Sequence, residues 1–120
     1  MIANGDTDLP VSARVWLARL AGQVIALADG VTATSGPAGR WQTVSSEQTV
    51  AGVLAVEDVH GRVEIEMHLV ARWPPQMPLE RLAEQLRERL RQSAEIAGMG
   101  ERLGAVSIAF DDVIAETTRT

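Results

Sequence analysis

The sequence predicts an α+β two-layer sandwich, in which two helices pack on one face of a three- or four-stranded, mainly antiparallel sheet. Three observations predict this fold. Two segments carry apolar residues at helical spacing, and a segment between them alternates apolar and polar residues. Clusters of Gly, Pro and Ser separate these segments. The expected order of elements is α-β-β-β-α-β.

The first helix is expected over residues 12–29. Ser12 is a suitable N-cap, and Gly30 is suited to follow the helix. The apolar residues at helical spacing predict the buried stripe, which comprises Trp16, Leu20, Val24 and Leu27.

Strands are expected next, at Val31–Ser35, Trp41–Val44 and Val50–Val59. The His60-Gly61 pair predicts a tight hairpin into the most regular strand of the chain. One face of that strand is expected to enter the core, with Val63, Ile65, Met67, Leu69 and Ala71. The opposite face carries Glu64, Glu66, His68, Val70 and Arg72.

Pro78 marks the start of a second helix, which is expected to run from Leu79 to Ala97. A last strand follows, in which Val106, Ile108 and Phe110 alternate with polar or small residues. The predicted core contains Leu20, Val24, Ile65, Met67, Leu69, Leu82, Leu86, Ile108 and Phe110. Residues 12–114 are expected to form the single domain, between a flexible segment 1–11 and a polar tail 115–120.

Composition excludes several classes of function. The chain has 120 residues and no Cys, which excludes disulfides, thiolate zinc sites and cysteine catalysis. Its net charge of −5 argues against nucleic-acid binding, because an acidic surface repels phosphate. Aromatic residues are only 3% of the chain, too few for a base-stacking platform. No stretch is long and apolar enough to span a bilayer, and no secretory signal is expected at the N-terminus.

The chain resembles the alkaline shock protein family of bacterial envelope stress-response proteins. The pieces that carry the resemblance are Ala28-Asp29-Gly30-Val31, Val50-Ala51-Gly52-Val53, the alternating strand Val63–Arg72, the helix entry Met77-Pro78-Leu79, and Val106-x-Ile108-x-Phe110-x-Asp112-Val113. They cover about residues 13 to 114. Trp73-Pro74-Pro75 and the loop Gly98–Gly104 depart from the family's usual pattern.

The resemblance implies a protein without enzymatic activity or cofactor. It implies a cytoplasmic protein that self-associates as a homo-oligomer, or that lies at the inner face of the cell membrane through a small membrane-anchored partner protein.

Three groups of residues are candidates for chemistry, and the first of them stays open. Glu64, Glu66 and His68 share one strand face, and with His60 they could surround a metal; the alternative is a solvated strand face. Asp111 and Asp112 are expected to point to opposite faces of an extended strand, which prevents them from acting as an acid–base pair. The loop Gly98–Gly104 follows a helix and precedes a strand, the wrong context for a phosphate-binding loop.

The sheet face away from the helices is the predicted interaction surface. Along residues 50–59, either Leu54 with Val56, or Val53 with Ala55 and Val59, must face away from the helices. Exposed Trp side chains would serve as anchors. The expected interface residues are Leu54, Val56, Glu64, Glu66, His68, Trp41 and Trp73.

Three functions therefore remain open. The favoured one is a non-catalytic interaction module. A small metal-dependent hydrolase built on the strand-face carboxylates and histidines is the second, and an RNA-binding module of similar two-layer shape is the third.

Overall fold

A computed structural model describes residues 12–45 and 48–115. Its elements are helix α1 (Ala13–Leu27), strands β1 (Val31–Ala33), β2 (Gln42–Val44), β3 (Thr49–Ala51), β4 (Val53–Glu57) and β5 (Val63–Trp73), helix α2 (Leu79–Ile96) and strand β6 (Leu103–Ala115). Short 3-10 turns lie at Pro37–Gly39 and Gly100–Arg102. The segment 1–11 and the tail beyond Ala115 fall outside the described residues.

The fold is α+β, as predicted, and β5 is the centre of its main sheet. β1 and β4 pair antiparallel with β5, at its C-terminal and N-terminal halves respectively, while β6 pairs with it in parallel. The parallel pair follows from α2, which crosses over between β5 and β6. β2 and β3 form a separate two-stranded sheet.

The first helix begins as predicted but buries a different stripe. The Ser12 hydroxyl accepts a hydrogen bond from Val15 N at 3.2 Å, which caps the helix. The buried residues are Val15, Leu17, Ala18, Ala21, Val24 and Ile25. Trp16 and Leu27, which the helical spacing placed on the apolar stripe, are 38% and 81% exposed. The stripe is displaced because Ala18 and Ala21 are small enough to let the helix backbone lie close to the sheet.

The core lies between the two helices and the inward face of the sheet. All five inward positions of β5 are buried, as the alternation predicted. Leu82, Leu86 and Leu90 of α2 pack against them. Leu20, Ile108 and Phe110, which were predicted to be buried, lie at the margin of this core and are only partly covered.

The predicted strand over residues 50–59 is two strands separated at Gly52. This glycine has φ +76°, and a Cβ there would lie 2.7 Å from the Ala33 Cβ. The chain bends at this position because only glycine tolerates both the dihedral angle and the close contact. As a result β3 leaves the main sheet and pairs with β2.

Candidate functional site

The outer face of the main sheet, defined as the face opposite α1 and α2, is the candidate site. On β4, Val53 and Ala55 are buried toward the helices, whereas Leu54 is half-buried and Val56 is 61% exposed. Leu54 and Val56 are therefore the outward pair. They lie opposite Glu66 and Glu64 of β5 respectively, so an apolar strip on β4 runs beside carboxylates on β5.

His68 lies on this outer face but is not solvated. It is 5% exposed, because the indole of Trp41 covers its imidazole. The two rings are stacked, with centroids 4.2 Å apart and planes 2° from parallel. The backbone of Trp41 is held on both sides, since Trp41 N donates to Ser35 O and Gly52 N donates to Trp41 O, each at 2.8 Å. The expectation of a solvated histidine is wrong for this reason.

Two carboxylates contact the His68 ring in its plane. Nε2 lies 2.8 Å from Glu66 Oε2, and Nδ1 lies 2.8 Å from Asp111 Oδ2. A carboxylate accepts but does not donate, so both contacts are hydrogen bonds only when each ring nitrogen carries a proton. Trp41 covers one face of the same ring. We call these four residues the Trp41–His68 cluster.

A β-bulge in β6 brings Asp111 into this cluster. Leu69 pairs with Phe110 and Val70 pairs with Asp112, so Asp111 is an extra residue between two paired positions. The prediction that Asp111 and Asp112 point to opposite faces assumed an uninterrupted strand. Two consecutive carboxylates in an otherwise apolar strand are the sequence signal that indicates such an interruption.

The two histidines of the chain lie in different environments. Nε2 and Nδ1 of His68 each lie within hydrogen-bond distance of a carboxylate. His60 lies apart, in the hairpin between β4 and β5, where its backbone N–H donates to Asp58 Oδ1 at 2.8 Å. Among residues 12–45 and 48–115, no group of three or more His, Asp or Glu side chains is placed to hold a metal ion.

The two Trp side chains that were expected as anchors differ in exposure. Trp41 is half-buried over His68. Trp73, the last residue of β5, is 53% exposed. Only Trp73 therefore presents a largely free ring at the margin of the sheet.

Comparison with protein-family models, with curated proteins and with solved structures finds no match to this chain. Within the described ranges, no helix is long and apolar enough to cross a membrane. The interpretation of the outer face consequently depends on its own geometry and charge.

Proposed function

We propose that this chain is a non-catalytic, scaffold-type interaction protein of the envelope stress-response kind, and that its outer face docks another protein chain. One observation carries the proposal. The outward apolar strip of half-buried Leu54 and exposed Val56 lies beside the carboxylates of Glu64 and Glu66, on the face that neither helix covers. An apolar centre with a charged rim is the usual composition of a protein interface.

The charges of the outer face indicate the chemistry of the partner. Glu64 and Glu66 are exposed beside the strip, and the whole chain carries a net charge of −5. Two such faces would repel each other, so a second copy is a poor occupant. A protein segment that presents apolar side chains flanked by Arg or Lys is complementary in both respects. A membrane-anchored protein with such a segment, as the family resemblance implies, meets this requirement.

The Trp41–His68 cluster supports the docking role by making the face rigid. Stacking on His68 and the hydrogen bond from Gly52 N to Trp41 O fix the loop that carries Trp41 onto the sheet. A preorganised surface loses less conformational entropy when a partner binds. This role requires no turnover by any residue of the cluster.

Two synthetic peptides test the docking surface. One alternates Val and Arg, and the other alternates Val and Glu. We expect the Val–Arg peptide to bind the protein and the Val–Glu peptide not to bind, because of the carboxylates beside the strip. The double variant Val56→Thr/Glu64→Gln should weaken binding of the Val–Arg peptide at least about tenfold in a titration calorimeter.

The matched control is Ile96→Thr/Glu95→Gln, which also replaces one exposed apolar side chain by Thr and removes one carboxylate, but at the end of α2. It should bind like the unmodified chain. Equal weakening in both double variants would show that the peptide senses only net charge, and it would contradict the proposed surface. Absence of binding by the unmodified chain would contradict it as well.

The metal-dependent hydrolase is tested separately. We expect no turnover of a simple ester or a phosphate monoester, with or without added Zn²⁺. Turnover, or a rise in melting temperature with Zn²⁺, that disappears in His68→Ala would overturn the non-catalytic proposal.

A further inference from the structure

Among the described residues, no strand pairs with the outer edge of β6. His68 N donates to Gly52 O and Thr34 N donates to His68 O, so the backbone groups of His68 point toward β1 and β4. Neighbouring residues of a strand point their backbone groups to opposite sides. On β6, the residues whose N–H and C=O groups point away from β5 are consequently Val106, Ile108 and Phe110.

These same three residues direct their side chains toward the helix layer. Val106 and Ile108 pair with the inward residues Ile65 and Met67. All three are only partly buried. An open groove of about 490 Å³ runs beside Ile108 and Phe110, with Leu79, Glu80, Ala83, Glu84 and Arg87 of α2 as its other wall. An additional strand on β6 would cover both the free edge and this groove.

We propose that a second copy of this chain occupies this edge, by antiparallel pairing of β6 with β6 about a two-fold axis at Ile108. This interface is separate from the outer face, so the dimer proposal and the docking proposal can be tested independently. In this register Ile108 pairs with Ile108 of the second copy, and Val106 pairs with Phe110. Each pair exchanges hydrogen bonds through groups that point away from β5.

Charge along β6 favours this register. The two charged residues of β6 are Asp111 and Asp112. Pairing centred at Ile108 places this charged end of β6, with its bulge at Asp111, opposite Gly104 and Ala105 of the second copy. No carboxylate then faces another, whereas pairing centred nearer the C-terminal end would bring like charges together, which destabilises a strand pair.

The same two-fold axis brings the α2 helices of the two copies together with complementary charges. Arg87 Nε donates to Val106 O at 3.0 Å, which fixes α2 above β6 at that point. Counting three to four residues from Arg87 toward the N-terminus of α2 covers about 5 Å along the helix axis and reaches the midpoint of Ala83 and Glu84. On β6, about 5 Å corresponds to between one and two residues counted from Val106, so this midpoint lies close to Ile108.

Two antiparallel copies of α2 centred at this midpoint place Glu80 of each copy opposite Arg87 of the other. Strand pairing and helix charge therefore indicate one common axis. A helix above the β5–β6 pair would also lie roughly 10 Å from its symmetry mate, a normal distance for packed helices. The carbonyl of Val106 can accept from the second copy as well as from Arg87, because it has two lone pairs.

The absence of Cys makes the register directly testable. In the purified full chain, Ile108→Cys should form a disulfide-linked dimer under mild oxidation, because Cα atoms of such a pair lie about 5.5 Å apart. The matched control is Ala105→Cys on the same strand, which faces Asp111 of the second copy and should not crosslink. If Ala105→Cys forms a crosslinked dimer and Ile108→Cys does not, the proposed register is wrong.

A proline variant tests the edge itself. Ile108→Pro removes an N–H that points away from β5, so the variant should keep the circular dichroism spectrum of the fold. The dissociation constant of its dimer should rise at least about tenfold. Val56→Glu, on the outer face, should leave the dimer intact. A dimer that survives Ile108→Pro but not Val56→Glu would show that self-association uses the outer face instead.

If the unmodified chain is strictly monomeric at about 100 µM, the dimer inference is wrong, and the docking proposal is unaffected. If Ile108→Pro does not fold, the cysteine pair decides.

Discussion

Asp58 closes the hairpin between β4 and β5 through its side chain. Its Oδ1 accepts hydrogen bonds from Arg62 N at 2.9 Å and from His60 N at 2.8 Å. The bond from Arg62 N is the main reason that the pKa of Asp58 lies below its ordinary value of 3.8, and the bond from His60 N lowers it further. Both bonds favour the charged carboxylate.

The lowered pKa of Asp58 predicts a dependence of stability on pH. A carboxyl group whose pKa is lower in the folded chain stabilises the fold above its unfolded pKa, and loses that effect as pH falls through the folded pKa. Asp58→Asn keeps an acceptor but cannot ionise. The melting temperature of the unmodified chain should therefore exceed that of Asp58→Asn near neutral pH, and the difference should shrink below about pH 4. A difference that stays constant with pH would contradict this account.

The two histidines of the chain allow a matched comparison of single residues. His68→Ala removes a buried ring, its stacking on Trp41 and two hydrogen bonds, and it leaves Glu66 and Asp111 without their shared partner. We expect the free energy of unfolding to fall by about 1–3 kcal/mol. His60→Ala, at an exposed turn position, should change it by less than about 0.5 kcal/mol. Urea unfolding followed by circular dichroism measures both, and equal effects would show that the cluster contributes nothing.

Single elements were predictable where one pattern dominates their sequence. β5 alternates without interruption, so its inward face follows from the sequence alone. In α1, apolar residues and alanines surround most of the helix, so several stripes compete and the choice depends on how closely the backbone approaches the sheet. The division at Gly52 and the bulge at Asp111 depend on contacts with Ala33 and His68, which lie far away along the chain.

The stripe of α2 gives the prediction at this scale. Leu86 is 1% exposed in the middle of the helix, whereas Leu27, at the end of α1, is 81% exposed. Leu86→Ala should lower the free energy of unfolding by about 2–5 kcal/mol, because it leaves a cavity in the core. Leu27→Ala, the same change at an exposed helical position, should cost less than about 0.5 kcal/mol. Chemical denaturation of both variants measures the contrast, and a loss below about 0.5 kcal/mol for Leu86→Ala would mean that α2 does not bury this stripe.

At the scale of the whole molecule, the two faces of the main sheet have different surroundings. The inward face meets both helices, and the outer face carries carboxylates, a short apolar strip and the Trp41–His68 cluster. The sequence predicted that these two faces exist and what residues line them on β5. It left the orientation of β4 open, because both sets of alternate residues on that strand are apolar, and only the register with β5 distinguishes them.

Substitution by Glu at two positions of β4 tests that orientation. Val53 is fully buried and faces the helices, so Val53→Glu would place a carboxylate in the core without a partner, and we expect the domain to unfold. Val56 is 61% exposed on the outer face, so Val56→Glu keeps its charge in water and the chain should remain folded. Both variants add the same charge to the same strand, so their difference reports burial alone. Circular dichroism and a thermal melt show which variant is folded. If Val53→Glu is folded and Val56→Glu is unfolded, the assignment of the two faces of β4 is reversed. The docking strip would then lie on the other face of the sheet.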